Sequence, residues 1–332
     1  MQEITTKSLC EHAASLLGDG TVSAVLGWKR GEFDYDMTPA VFTTAEELTE
    51  GFAYNDFCGA NLSKYLLKKT REIEGRLLVF LKPCDTYSFN QLITEHRFDR
   101  EKVYAIGIPC NGMADINRIR KITGEGISKI EAEGDSILVH TLYDDEPGAV
   151  KCADVLAERC ANCKSKKHVA YDELLCEDGE VLVSNRFDEV EKIEAMSPDE
   201  RFAFWQNELS RCIRCNACRD ACPACTCEKC VFDNPNSGVE SKAPGGDFEE
   251  KLFHIIRAYH VAGRCTDCGE CSRVCPQGIP LHLLNRKFIK DMNETYGEYQ
   301  AGETSDQRAP LVNFTQDDPE PSDVVKGGCK HD

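Results

Sequence analysis

The chain has 332 residues, 41% of them apolar and 29% charged, which suits about two packed domains. Its 57 acidic and 39 basic side chains leave a net charge of −18, so nucleic acid and anionic membrane surfaces are excluded as natural partners. No run approaches the ~18 apolar residues of a membrane span. Twenty cysteines behind an N-terminus without a signal's basic and apolar regions argue against a disulfide scaffold and for a reducing cytoplasm, as in an anaerobe.

Residues 3–18 read as a helix closed by Gly18, and the apolar run Val22–Trp28 as a first strand. Ala45–Lys69 is helical in pattern, with interruptions at Gly51 and Gly59. The clearest α/β signal follows: strand Leu77–Leu81, helix Tyr87–Glu95 and strand Val103–Ile108, which together predict a parallel β-α-β unit. Both strands end alike, in Lys82-Pro83-Cys84-Asp85 and Ile108-Pro109-Cys110-Asn111. Ligands of open parallel sheets bind beyond the carboxyl ends of the strands, so two thiols are expected side by side at the binding edge. Cys160-Ala-Asn-Cys163 adds a C-x2-C pair. Cys84, Cys110, Cys160 and Cys163 form a candidate third four-thiolate site. The same residues also suit a redox or flavin pocket that uses only some of them, or buried structural thiols. Residues 113–150 continue the α/β pattern with turns at Gly124, Gly126 and Gly134, and the first domain is expected to span 1–176.

Residues 177–196 are acidic and read as a linker to a second domain, 197–298. Ser197-Pro198-Asp199-Glu200 is a strong helix start, with Ser197 as N-cap, Pro198 at N1 and Glu200 completing a capping box. Phe202, Trp205 and Leu209 follow at helical spacing as expected core. The helix leads into Cys212-x2-Cys215-x2-Cys218-x3-Cys222-Pro223, and the same C-x2-C-x2-C-x3-C-P pattern recurs as Cys265, Cys268, Cys271, Cys275 and Pro276. Three thiolates at i, i+3 and i+6 wrap three irons of a cubane, and the Cys before the Pro ligates the other cluster. Cys212, Cys215, Cys218 and Cys275 are therefore assigned to one 4Fe-4S cluster, and Cys265, Cys268, Cys271 and Cys222 to a second. Zinc sites more often show paired C-x2-C knuckles without Cys-Pro. The spacer between the motifs carries a helix whose Phe248, Leu252, Ile255, Ile256 and Tyr259 share one apolar face, with Gly263 ending it. Leu281–Met292 reads as a further helix, so the second domain is expected to be an all-α ferredoxin. His254, His260 and His282 lie near the loops as packing or hydrogen-bonding residues rather than ligands. Cys225, Cys227 and Cys230 are candidate additional ligands, alternative ligands or a redox-active trio. Arg211, Arg214, Arg219, Arg264 and Arg273 flank the motifs, either offsetting cluster charge or as ordinary solvated cations. Residues 299–332 hold few large apolar side chains and are expected to be a flexible acidic tail carrying Cys329.

With these motifs in view, Lys82-Pro-Cys84-Asp85, the run from Arg100 to Cys110 and Cys160-x2-Cys163 resemble the beta subunits of deazaflavin (coenzyme F420)-dependent hydrogenase and formate dehydrogenase. Cys212 to Leu284 resembles a helical dicluster ferredoxin such as the ferredoxin-like subunit of heterodisulfide reductase. The resemblance implies a cytoplasmic electron-carrying subunit that works with the catalytic subunits of a redox complex, and with a soluble ferredoxin or flavoprotein. In the beta subunits this α/β domain binds FAD beside a cluster and exchanges a hydride with the deazaflavin. No G-x-G-x-x-G loop is present to support a Rossmann-type site. Three functions stay open at this point: a conduit of two or three 4Fe-4S clusters, a flavin-containing converter of hydride pairs to single electrons acting on a deazaflavin or nicotinamide, and an iron–sulfur sensor or scaffold.

Overall fold

The structure is a computed structural model that describes residues 5–163, 167–179, 185–237, 247–306 and 309–311. The chain divides into two compact units, 1–89 with 96–184, and 90–95 with 185–332.

The first unit opens with α1 (Thr6–Gly18), β1 (Ala24–Arg30), β2 (Met37–Phe42), α2 (Ala45–Gly51) and α3 (Ser63–Glu72). The helical stretch expected over 45–69 is thus two helices, broken between Gly51 and Ser63. Strand β2 carries Pro39, which the periodicity passed over. It survives because β2 is an edge strand, where a missing N–H costs no ladder bond. Then come β3 (Leu77–Leu81), α4 (Pro83–Thr94) and β4 (Val103–Gly107). All five residues of β3 are buried, as a strand covered on both faces requires. Strands β3 and β4 pair in parallel, with Leu77 opposite Val103 and Leu81 opposite Gly107. The sheet order is β2-β1-β3-β4-β8, where β8 is the two-residue strand Glu173–Leu174, and β2 runs antiparallel to β1, so the sheet is mixed. Helix α4 begins four residues before its expected start. Pro83 is at home in a helical first turn, so the Pro83-Cys84-Asp85 segment is helical rather than loop. After α5 (Ile116–Thr123), a separate antiparallel sheet forms from β5 (Ile127–Glu133), β6 (Ser136–Thr141) and β7 (Gly148–Lys151). Two single-turn helices, α6 (Cys152–Val155) and α7 (Glu158–Ala161), and the two-residue strand β8 (Glu173–Leu174) complete the unit.

In the second unit every described element is helical: α8 (Asp188–Glu194), α9 (Pro198–Ser210), α10 (Ala217–Asp220), α11 (Asp247–Val261), α12 (Glu270–Arg273) and α13 (Leu281–Tyr296), besides two 3₁₀ turns. Part of the expected linker is therefore α8, whose Val190 is buried. The capping box at Ser197 and Glu200 is formed in both directions, which fixes the start of α9. Of the core expected on α9, Leu209 is buried but Phe202 is 61% exposed. Helix α11 packs against α9 and α13 with the opposite face from the one expected. Leu252, Ile255 and Tyr259 are exposed, whereas Phe253, His254, Arg257, Ala258 and Val261 are buried. Phe248 lies outside the described side chains. The expected tail also begins too early: Tyr299, Gln300 and Ala301 are buried, and the Tyr299 hydroxyl donates to the Gly263 carbonyl at 2.8 Å. Residues 312–332, with Cys329, lie outside the described residues.

Candidate metal centres

The two cysteine loops of the second unit have the same backbone. Arg214 and Asn216 flank Cys215 with φ of 55° and 61°, and Asp267 and Gly269 flank Cys268 with φ of 57° and 69°. A left-handed residue on either side of the middle Cys curls each loop around a common centre. Asn216 and Gly269 then start α10 and α12, which carry Cys218 and Cys271. The coil aims amides inward: the Arg214 N–H donates to the Cys212 sulfur at 3.4 Å, and the Asp267 and Glu270 amides do the same for Cys265 and Cys268. Such N–H···S contacts stabilise negative charge on sulfur.

The thiols of the two motifs lie close to one another. Cys212, Cys215, Cys218 and Cys275 line one cavity with Phe253 and Ile279. Cys222 sits instead close to Cys265, Cys268 and Cys271, and its charge pushes all three thiols up, after burial as the larger cause. Burial pushes the Cys218 thiol up to about 12, with further increments from Cys271, Cys212 and Cys275. Among the described residues no three His, Cys, Asp or Glu side chains converge as the shell of one metal ion would. Cubane thiolates each meet a different iron, so they stand wider apart than the ligands of a single ion. The residues fit a cluster in a second respect. Arg257 is 1% exposed, and among the described residues none of its three guanidinium nitrogens has an oxygen or nitrogen partner, which leaves a buried cation facing sulfur.

Around these loops the charged groups divide by partner. The arginines singled out in the sequence are mostly engaged by carboxylates: Arg211 with Glu208, Arg219 with Asp220 and Asp233, Arg264 with Glu95, and Arg273 with Glu270. Arg214 stacks on Phe253, 3.8 Å from the ring centre. His254 turns Nε2 to the Cys212 sulfur at 3.3 Å, the hydrogen-bonding role expected of it. His282 packs Nδ1 against the Ser272 hydroxyl at 2.8 Å, whereas His260 is exposed on α11. Arg257 was missed, because a lone arginine on a helix reads as solvated. Its signal is a helical step, i+3 from His254, on the face opposite the apolar stripe. Cys225 packs beside Cys222 and Cys265, whereas Cys227 is exposed and Cys230 half-buried.

The first unit holds the other candidate set. Cys84 stands on the first turn of α4, Cys110 beyond β4, Cys160 on α7 and Cys163 just after it. Burial raises the Cys84 thiol well above its ordinary value, with Asp85, Cys163 and Cys110 adding to the rise. Cys110 is raised by burial and in part by Cys160. Cys84 thus neighbours Cys163 and Cys110, and Cys110 neighbours Cys160. Beneath them Lys82 and Asp85, both almost fully buried, pair at 2.8 Å. The Lys82 ammonium also donates to the Ala60 carbonyl at 3.1 Å and lies 4.5 Å from the centre of the Trp28 ring. The Met113 amide donates to the Cys160 sulfur at 3.4 Å. Gly112, between Cys110 and Met113, has φ of 102°, and a Cβ there would meet Leu156 at 2.4 Å.

Residues 208–279 match the 4Fe-4S dicluster domain family. The chain is 25% identical over 356 residues to the F420-dependent formate dehydrogenase subunit beta of Methanocaldococcus jannaschii, covering 90% of this chain and 92% of that one. It is 24% identical to the F420-dependent formate dehydrogenase 1 subunit beta of Methanococcus maripaludis, covering 90% of each. Among solved structures, a chain of the F420-reducing NiFe hydrogenase complex of Methanosarcina barkeri aligns with 62% of this chain and 86% of its own length, at 14% identity and a TM-score of 0.38. The likeness read from the cysteine motifs therefore extends along most of the chain. No helix among the described residues is long and apolar enough to cross a membrane.

Proposed function

We propose that this chain, an iron–sulfur electron-transfer subunit, relays single electrons through three 4Fe-4S clusters in a cytoplasmic, formate dehydrogenase-type complex. Two clusters would be held by the helical ferredoxin unit, one by Cys212, Cys215, Cys218 and Cys275, the other by Cys265, Cys268, Cys271 and Cys222. The third would be held by Cys84, Cys110, Cys160 and Cys163. The observation that carries the reading is the exchange of fourth ligands: Cys275 lines the cavity of the first loop, and Cys222 stands with the second. A cubane supplies reversible one-electron storage. The chain's own residues hold the thiolates, donate amides to sulfur and keep water from the buried Cys218 and Cys271. The partners in this reading are the catalytic subunits of the complex, which activate the substrate.

The exchange is tested by Cys222→Ala and Cys275→Ala under anaerobic spectroscopy. Cys222→Ala should perturb the cluster of Cys265, Cys268 and Cys271 and spare the other, and Cys275→Ala should do the reverse. If each variant instead damages the cluster of its own loop, the assignment is wrong. A second reading is favoured by the names of the relatives, which are F420-dependent. There a flavin held by the first unit splits hydride pairs taken from the deazaflavin. It requires about one flavin per chain and bleaching of that flavin by reduced F420; full-length protein without bound flavin rules it out.

A further inference from the structure

We propose that the Arg257 guanidinium is a shared counter-charge for both clusters of the helical unit, tying their reduction potentials to one buried cation. The inference rests on the two-cluster reading and goes beyond it by naming the residue that couples the two sites.

Three observations support it. Arg257 is 1% exposed, on the inward face of α11, and among the described residues Nε, Nη1 and Nη2 all lack an oxygen or nitrogen partner. A buried cation is strongly destabilising unless an anion meets it. The neighbours are thiols of both sets: Cys218 from the first, Cys271 and Cys222 from the second, with Cys225 beside them. Cys218 and Cys271 are also the third cysteines of their motifs, on the matching helices α10 and α12, which pack together. Arg257 therefore stands at the midpoint of a repeated arrangement. Of the other arginines flanking the motifs, Arg264 pairs with Glu95 and faces Cys222 and Cys225 of the second set, Arg211, Arg219 and Arg273 pair with carboxylates, and Arg214 stacks on Phe253.

The electrostatics follow directly. One-electron reduction adds one negative charge to a cluster, and a cation nearby stabilises the reduced form and raises the potential. A cation close to both sites raises both. His254 is the built-in contrast, because its Nε2 meets the Cys212 sulfur of the first set.

The test is an anaerobic potentiometric titration, followed by electron paramagnetic resonance, on the full chain carrying Arg257→Gln, Arg257→Lys or His254→Asn. Arg257→Gln is expected to move both potentials negative. Arg257→Lys should leave both near wild type, and His254→Asn should move only the cluster of Cys212. A shift confined to one cluster in Arg257→Gln, or no shift, overturns the proposal. An equal shift in Arg257→Lys overturns it too, because packing rather than charge would then be the cause. If Arg257→Gln folds but loads neither cluster while Arg257→Lys loads both, the shared charge is upheld. Loss of a single cluster, or loss of both from both variants, overturns it. Wild-type protein with fewer than about eight irons fails the two-cluster premise instead.

Discussion

At the scale of single residues, the cysteine motifs were the most legible part of the chain, because their spacing is the one a cubane would require. The charges around them were not. Whether an arginine is solvated, paired with a carboxylate or buried against sulfur depends on the face it occupies, and Arg257 was recognisable only once α11 had been oriented. Lys82 and Asp85 belong to the same class of hidden group. Burial disfavours the Lys82 charge, and Asp85 and Cys84 more than offset that, raising its pKa. Lys82→Met strands the Asp85 carboxylate and should cost ~3–5 kcal/mol in chemical denaturation. The double variant Lys82→Met/Asp85→Asn should recover part of that loss, and additive losses would show that the pair is not coupled. Gly112→Ala puts a Cβ into Leu156 at a positive φ and should cost about 1–3 kcal/mol. Unchanged stability would mean that the loop between Cys110 and Met113 relaxes freely.

Elements were legible where burial is two-sided or a cap is explicit. Strand β3 is apolar at every position, and the Ser197 start of α9 is formed as its sequence requires. Ser197→Ala should lower the stability of the helical unit by about 1 kcal/mol in denaturant titration; no change would mean that α9 holds without its cap. Helix α11 was misread for a physical reason. Apolar periodicity marks the inward face only when the interior is apolar, and here the inward face carries His254 and Arg257 beside the cysteine loops. The stripe of Leu252, Ile255 and Tyr259 is left outside. Ile255→Asp should therefore change stability by less than ~0.5 kcal/mol and leave the iron content intact, whereas Ala258→Asp should prevent loading. Equal damage from both would contradict this orientation. Strand β2 escaped notice because its Pro39 argues against a strand everywhere except at an edge.

For the whole molecule, the strand–helix–strand pattern and the repeated cysteine motif were legible as a mixed α/β sheet with helices and a 4Fe-4S dicluster domain over residues 208–279. The boundaries were less legible, because composition does not reveal that the acidic segment forms α8 or that Tyr299–Ala301 are buried. The central claim is that one chain holds three clusters, two in the helical unit and one at Cys84, Cys110, Cys160 and Cys163. Anaerobic protein assayed for iron, acid-labile sulfide and flavin tests this most directly. The account predicts about twelve irons with matching sulfide and no flavin, and loss of about four irons in Cys84→Ala or Cys160→Ala. About eight irons, unchanged in those variants, would contradict the third site, and fewer than about four irons with bound zinc would contradict the iron–sulfur account as a whole.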